Sequence, residues 1–131
     1  MKLIQIYECL CDETRLRILH LLTRGPLCVC HLQAILREPQ VKVSKHLAYL
    51  RGRGLVECRR NQNWMIYQLP VTPPPELEAH LKCLQDCAGE QPQFAADLKA
   101  RDRLAKDICE VTACLTEPVN RNGKTVSSRS R

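Results

Sequence analysis

Apolar residues recur along the first half of the chain every three or four positions, the period of helices packed on one side. Leu3, Ile6, Tyr7 and Leu10 predict a short helix over residues 3 to 11. Asp12 reads as an N-cap, with Glu13 in the first turn behind it. Leu16, Ile18, Leu19 and Leu22 give that second helix its buried stripe as far as about Thr23, where Gly25-Pro26 stops it. A third helix follows from about Leu27 to Leu36, with Leu32, Ile35 and Leu36 facing inward. Pro39 makes Arg37-Glu38-Pro39-Gln40 a tight connection, because its ring cannot sit inside a continuing helix. Val43, Leu47 and Leu50 fall at i, i+4 and i+7 on a fourth helix from about Val41 to Arg53, which Gly54 ends as a left-handed residue.

The period then changes. Residues 55–60 and 64–69 are β-prone runs joined by Asn61-Gln62-Asn63, which predicts a hairpin. Pro70 to Pro75 forms a stiff connector. Beyond it a fifth helix is expected from Glu76 to Cys87, closed by Gly89, and Pro92 opens a sixth with Leu104, Ile108, Val111 and Leu115 on one face. Each of these terminal helices has an apolar side to cover, and the economical cover is a symmetry mate. The expected fold is mainly α with a β-hairpin wing (α+β), a homodimeric winged helix-turn-helix. Residues 1–115 form the domain, and the polar, basic residues 116–131 are expected to be a disordered tail.

Charge sharpens the picture only locally. The 131 residues carry a net charge of +6, but Arg121, Lys124, Arg129 and Arg131 supply four of those six. The stretch from Lys42 to Arg60 is the better footprint, with six basic side chains against Glu57 alone. Ser44, Lys45 and His46, early in the fourth helix, offer hydroxyl, ammonium and imidazole groups to base edges or phosphates, although His46 also suits helix packing. Gln40 and Lys42 flank them, Arg51 follows, and Arg59 and Arg60 on the hairpin suit phosphates. In this element order the fourth helix enters the major groove of duplex DNA while the hairpin reaches the backbone or minor groove. With one tryptophan, three tyrosines and one phenylalanine the core is thin for a large enzyme, no catalytic signature is present, and no enzyme is expected. No secretion signal opens the chain, no run approaches the ~18 apolar residues of a bilayer span, and no membrane partner is expected.

Nine cysteines are an odd number, spaced Cys9-x-Cys11, Cys28-x-Cys30, Cys58, Cys83-x3-Cys87 and Cys109-x4-Cys114. There is no C-x-x-C, which disfavours a zinc ribbon or a thioredoxin-like centre, and reduced thiols in the cytoplasm are expected. Cys28 and Cys30 sit at the start of the third helix, where the helix dipole favours thiolate, the form that binds soft metals. Residues i and i+2 lie about 200° apart on a regular helix, so one ion reaches both sulfurs only if the first turn opens or distorts. Cys9 and Cys11 read as packing residues. Cys83 and Cys87 share a face with His80, fit for core or dimer packing or for a second soft-metal site. Cys58 stands alone on a strand, and His20 and His31 read as structural.

Asp12-Glu13-Thr14-Arg15-Leu16, Leu27-Cys28-Val29-Cys30-His31-Leu32, Val43-Ser44-Lys45-His46-Leu47-Ala48-Tyr49-Leu50-Arg51 and Gly54-Leu55-Val56 resemble, in this order, the ArsR/SmtB family of bacterial metal-sensing repressors. The resemblance covers about residues 3 to 70, and Cys-Val-Cys is most similar to the arsenite-responsive branch. It implies a cytoplasmic, nucleoid-associated homodimer that holds an inverted-repeat operator and is released by As(III) or Sb(III), with no organic cofactor. Carried over by position, Cys28 and Cys30 are the metal ligands, and Ser44, Lys45 and His46 face the operator. The third cysteine of many arsenite sensors is replaced here by Gln33. A third thiolate would come from Cys9, Cys11 or the other subunit, or two sulfurs and a water would suffice. Family members also respond to cadmium, lead or zinc, or to thiol oxidation and persulfidation, and those alternatives stay open.

Overall fold

Asp12 makes the first corner of the chain. The computed structural model describes residues 3–113, so expectations for Cys114, Leu115 and the basic tail lie outside the described residues. Helix α1 (Leu3–Leu10) ends where Arg15 donates from Nε to the Cys9 carbonyl at 2.8 Å and from Nη2 to the Glu8 carbonyl at 3.1 Å. Helix α2 (Glu13–Leu22) begins with the Asp12 carboxylate accepting the Arg15 N–H at 3.0 Å, which satisfies a donor that a helix start would otherwise leave open. The stripe of α2 runs along Ile18, Leu19, Leu21 and Leu22, while Leu16 is only half-buried. On α1 the buried side chains are Ile6 and Cys9, whereas Leu3 and Tyr7 face outward.

After α2 the chain turns at Gly25, whose φ of +126° only glycine adopts without strain. The expected start of the third helix is different in the structure. Leu27–Cys28 form a two-residue strand, β1, and helix α3 spans Val29–Leu36. Arg37 then takes a left-handed conformation (φ 56°), and α4 runs over Gln40–Gly52 with Val43, Leu47 and Leu50 buried, as its spacing predicts. Gly54, at φ +76°, donates to the Arg51 carbonyl at 3.0 Å, and Leu55 donates to the Leu50 carbonyl at 3.0 Å. These two bonds close a Schellman motif on the last open carbonyls of α4.

The hairpin is formed by β2 (Glu57–Asn61) and β3 (Trp64–Gln68), joined by Gln62-Asn63 with Gln62 at φ +54°. β1 adds to its other edge, so the sheet is antiparallel with order β1-β3-β2. Helix α5 (Pro75–Cys87) and a 3₁₀ turn (Ala88–Glu90) follow. The single sixth helix expected from sequence is two, α6 (Pro92–Arg103) and α7 (Ala105–Thr112), broken at Leu104. Leu104 packs on the core, and the bend carries Val111 onto Cys28 and Ile66. No helix among the described residues is long and apolar enough to cross a membrane.

The core joins Ile6, Ile18, Leu19, Leu21, Leu27, Leu32, Leu47, Leu50 and Leu55, all removed from solvent. Burying each such aliphatic side chain contributes about 1.5–3 kcal/mol before entropy is counted. The apolar sides of the terminal helices find cover within the chain itself: Leu77 and Leu81 of α5 and Ile108 of α7 belong to this core. α6 is fastened to α2 by polar contacts at both ends. Arg17 donates from Nε and Nη2 to the two oxygens of Asp97, each at 2.9 Å, and Gln93 adds a bond at 3.0 Å. Arg101 donates to the carbonyls of Leu21, Arg24 and Gly25, placing a cation on the C-terminal end of the α2 dipole.

Two stability effects follow from these buried groups. Replacing Asp97, 1% exposed, with alanine leaves the Arg17 guanidinium without its bidentate partner. The urea midpoint should fall by the equivalent of about 3 kcal/mol, the low end for an uncompensated buried charge. His20 is buried edge-on to Phe94, its Nδ1 without a hydrogen-bond partner among the described residues. Burial first, and then Arg24, push its pKa down, so the fold keeps it neutral while the unfolded chain protonates below about pH 6.5. Stability is therefore lost as pH falls through that value, and His20→Leu should flatten this part of a denaturation-versus-pH profile.

Candidate functional site

The strand β1 decides the geometry of the sulfur pair. Cys28 is the N-cap of α3 with extended backbone (φ −81°, ψ 163°), because it pairs with Ile66 of β3. It is therefore outside the helix, and the 200° separation of i and i+2 does not apply. The Cα atoms of Cys28 and Cys30 are 5.4 Å apart, and the sulfurs are joined as a disulfide. Two expectations are corrected at once: the first turn need not open for the sulfurs to meet, and this pair stands oxidised rather than as free thiols. Cys28 is buried against Ile66 and Val111, while Cys30 is exposed. The start of α3 has no side-chain cap, so its first-turn N–H groups and dipole favour negative charge on these sulfurs once reduced.

A third residue joins them. His31, 3% exposed, has Nδ1 3.1 Å from Cys28 Sγ and Nε2 2.5 Å from Asp107 Oδ2 of α7. The ligand atoms of Cys28, Cys30 and His31 all lie within 4.8 Å of one another. Sequence reading passed over His31, although its i+3 spacing from Cys28 was visible; the carboxylate that orients it lies 76 residues away. Neither Cys9 nor Cys11 belongs to this group of three. Cys9 is packed in the core, where burial pushes its thiol pKa up against the opposing effect of Arg53 and the Tyr49 hydroxyl. Cys11 is exposed rather than packed. The sulfur pair opens on a cleft of about 230 Å³ lined also by Gln33, Gln40, Trp64 and Met65. Gln33 thus borders the site without supplying a thiolate, and the cleft touches both the fourth helix and the wing.

The remaining thiols are placed differently from expectation or stand apart. Cys83 and Cys87 are exposed, not core residues, and the neighbouring Cys83 raises the Cys87 pKa. His80 Nδ1 donates to the Glu76 carbonyl at 2.7 Å, and its ring meets Tyr7 edge-on. Cys58 is half-buried opposite Tyr67 in the hairpin, and Cys109 is exposed on α7.

Helix α4 carries Lys42, Lys45, His46 and Arg51 and no acidic residue. Gln40, Lys42, Ser44, Lys45 and Arg51 are exposed on it, opposite the buried Val43, Leu47 and Leu50. Lys42 meets Glu38 at 3.2 Å, a surface pair worth at most about 1 kcal/mol and readily exchanged for a phosphate. His46 is half-buried and close to Asp12. Burial opposes the Asp12 charge, but the Arg15 N–H, His46 and the Arg15 guanidinium outweigh it and hold the carboxyl below its usual range. Tyr49 is clasped between the guanidinium groups of Arg15 at 4.2 Å and Arg53 at 3.6 Å, which withdraws Arg53 into the fold. Arg59 and Arg60 are exposed on β2, with Arg60 Nε donating to the Gln62 carbonyl at 3.1 Å across the wing tip. Of these two elements, α4 borders the sulfur cleft through Gln40 and the wing borders it through Asn63, Trp64 and Met65.

Comparison with known proteins places these features. Residues 12–57 match the family model described as bacterial regulatory protein, arsR family. Two arsenic resistance transcriptional regulators of Pseudomonas putida are similar to the chain. One is 41% identical over 86 residues, covering 65% of this chain and 67% of that protein; the other is 38% identical over 113 residues, covering 83% and 95%. Among solved structures, reduced HlyU from Vibrio cholerae is similar at a TM-score of 0.58 and 31% identity, covering 63% of this chain and 84% of that one. A homodimeric winged helix-turn-helix DNA-binding domain from Mycobacterium bovis is similar at a TM-score of 0.55 and 25% identity, covering 68% and 80%.

Proposed function

The chain belongs to the arsR family of bacterial regulatory proteins, DNA-binding winged-helix transcriptional regulators, and from that premise we propose that it is a repressor released from its operator by arsenite or antimonite. The observation that carries the reading is the convergence of the Cys28 and Cys30 sulfurs at the joint between the wing and the helix preceding α4. It acts in the cytoplasm, on nucleoid DNA, as a homodimer over an inverted repeat, its two α4 helices about one duplex turn (~34 Å) apart. Two features support the dimer. The Mycobacterium bovis relative is a homodimer, and α1 leaves Leu3, Ile4 and Tyr7 exposed at 48%, 71% and 51%, an apolar face suited to a second copy. Gln40, Lys42, Ser44, Lys45 and His46 meet the major groove, while Arg51, Arg59 and Arg60 hold phosphates.

Arsenite enters through the cleft and condenses with the reduced pair. As(OH)₃ and two thiols give two As–S bonds and two waters, one hydroxide staying on arsenic. A dithiol reductant first returns the disulfide to thiols and leaves as its own disulfide. In this reading the new bonds draw Cys28 away from its pairing with Ile66 and loosen the wing edge and the start of α3 together. Moving the population from 1:99 to 99:1 needs a differential affinity of about 5.5 kcal/mol, within reach of two arsenic–thiolate bonds. A second reading uses the same residues: the disulfide itself is the signal, two thiols giving two electrons and two protons to peroxide, which leaves as two waters.

Fluorescence anisotropy of labelled operator DNA with the reduced full chain tests both readings. Arsenite should release the DNA, and replacing Cys28 and Cys30 with serine should preserve operator binding and abolish release. Release that persists in the double variant places the inducer elsewhere, and release by peroxide but not arsenite favours the redox reading. Lys45→Ala should weaken operator binding, lower the slope of log affinity against log salt by about one, and leave arsenite binding intact.

A further inference from the structure

We propose that the recess between α3 and α6 is a binding site for a small phosphate-bearing molecule, held by Arg37, Lys99 and Arg103. It lies apart from the sulfur cleft, and none of the residues assigned to operator DNA lines it.

Small side chains make the space. Ala96 and Ala100 stand at i and i+4 on α6, across from Ile35 and Leu36 at the end of α3. What longer side chains would fill is left as a cavity of about 390 Å³, a volume in the range of small-ligand pockets. Lys99 and Arg103 line the same cavity, also at i and i+4, and Arg37 adds a third cation from α3.

The cations have no acid of their own. Among the described residues none of the three side chains makes an ion pair. Asp97, the acid that lines the recess, already accepts two bonds from Arg17 and one from Gln93. Glu38 pairs with Lys42, the exposed Glu13 acts on Arg17, and Asp102 shares a separate recess with Arg24 and Arg101. Arg17 and Asp97 cancel, so the lining keeps the charges of Arg37, Lys99 and Arg103. Like charges at i and i+4 repel, and an anion between them relieves that repulsion.

Arg37 carries a second sign. It holds a left-handed conformation at φ 56°, its N–H donating to the Gln33 carbonyl at 2.9 Å, just past the end of α3 where glycine is the usual residue. An arginine there accepts backbone strain and brings a guanidinium to the cavity wall. The α3 dipole accounts for one cation at this end but not for Lys99 and Arg103, which belong to another helix. Guanidinium forks take phosphate oxygens in pairs, and lysine adds a point charge. Ile35, Leu36 and the two alanines suit a compact apolar body on the same molecule. Duplex phosphates, fixed to the outside of the helix, would leave that floor unfilled.

Isothermal titration calorimetry of the reduced full chain at constant ionic strength tests the site, with phenyl phosphate and inorganic phosphate as probes and chloride as control. Phenyl phosphate should bind saturably, one per chain, and more tightly than inorganic phosphate. Replacing Lys99 and Arg103 together with alanine should weaken it about tenfold or more. Both are exposed, so folding is not at stake. Replacing the exposed Lys82 and Lys106 removes the same charge away from the recess and should change affinity less than about twofold. Ala96→Leu, which fills the recess and keeps every charge, should also weaken phenyl phosphate about tenfold or more. No saturable binding, or equal losses in the two double variants, would overturn the proposal, because the anion would then answer only to overall charge. Loss of operator affinity in the Lys99 and Arg103 variant with phenyl phosphate binding unchanged would also overturn it and assign these cations to DNA.

Discussion

The pairing of Leu27 and Cys28 with Tyr67 and Ile66 is the constraint on which the rest of the site depends. It holds Cys28 in extended backbone, outside α3, and so turns its sulfur toward Cys30 instead of to the far side of a helix. The same pairing makes the sulfur-bearing segment the edge strand of the wing. A ligand that pulls on these sulfurs therefore acts on the hairpin and on the helix before α4 in one motion, with no longer relay required. A two-residue strand has few hydrogen bonds to lose, so the proposed switch would need to disturb little of the fold.

Around this joint the C-terminal helices act as a brace. Arg17 with Asp97, and Arg101 on the end of α2, lock α6 to the body of the domain. The break at Leu104 then redirects α7 so that three of its contacts converge on the site. Val111 packs on Cys28 and Ile66, the Val111 carbonyl accepts from Asn61 at the wing tip at 3.1 Å, and Asp107 holds His31. The cleft into which the sulfurs open is bordered by Gln40, the first residue of α4, and by Asn63, Trp64 and Met65 of the wing. The sulfur pair thus adjoins the first residue of α4, the helix whose exposed side carries Lys42, Lys45 and Arg51.

Much of this was legible in the sequence because it is local. The apolar period fixed α2 and α4, Asp12 marked a cap, Gly54 marked a Schellman stop, and the basic run on α4 and the wing stood out against a modest net charge. What escaped depends on partners distant in the chain. β1 is too short to show an alternating pattern and exists only because β3 is beside it. The break at Leu104 follows no glycine or proline and is set by packing on the core. His31 looked structural because Asp107, which orients it, is 76 residues away, and Cys9 and Cys11 looked eligible because spacing alone cannot say which face of α1 is buried.

Amide hydrogen exchange of the reduced chain, with and without bound arsenite, tests the central coupling most directly. The account predicts faster exchange at the Leu27, Cys28, Ile66 and Tyr67 amides and in the first turn of α3 on arsenite binding, with the α2 and α5 amides unchanged. Full protection of the β1–β3 amides in the saturated arsenite complex would contradict it.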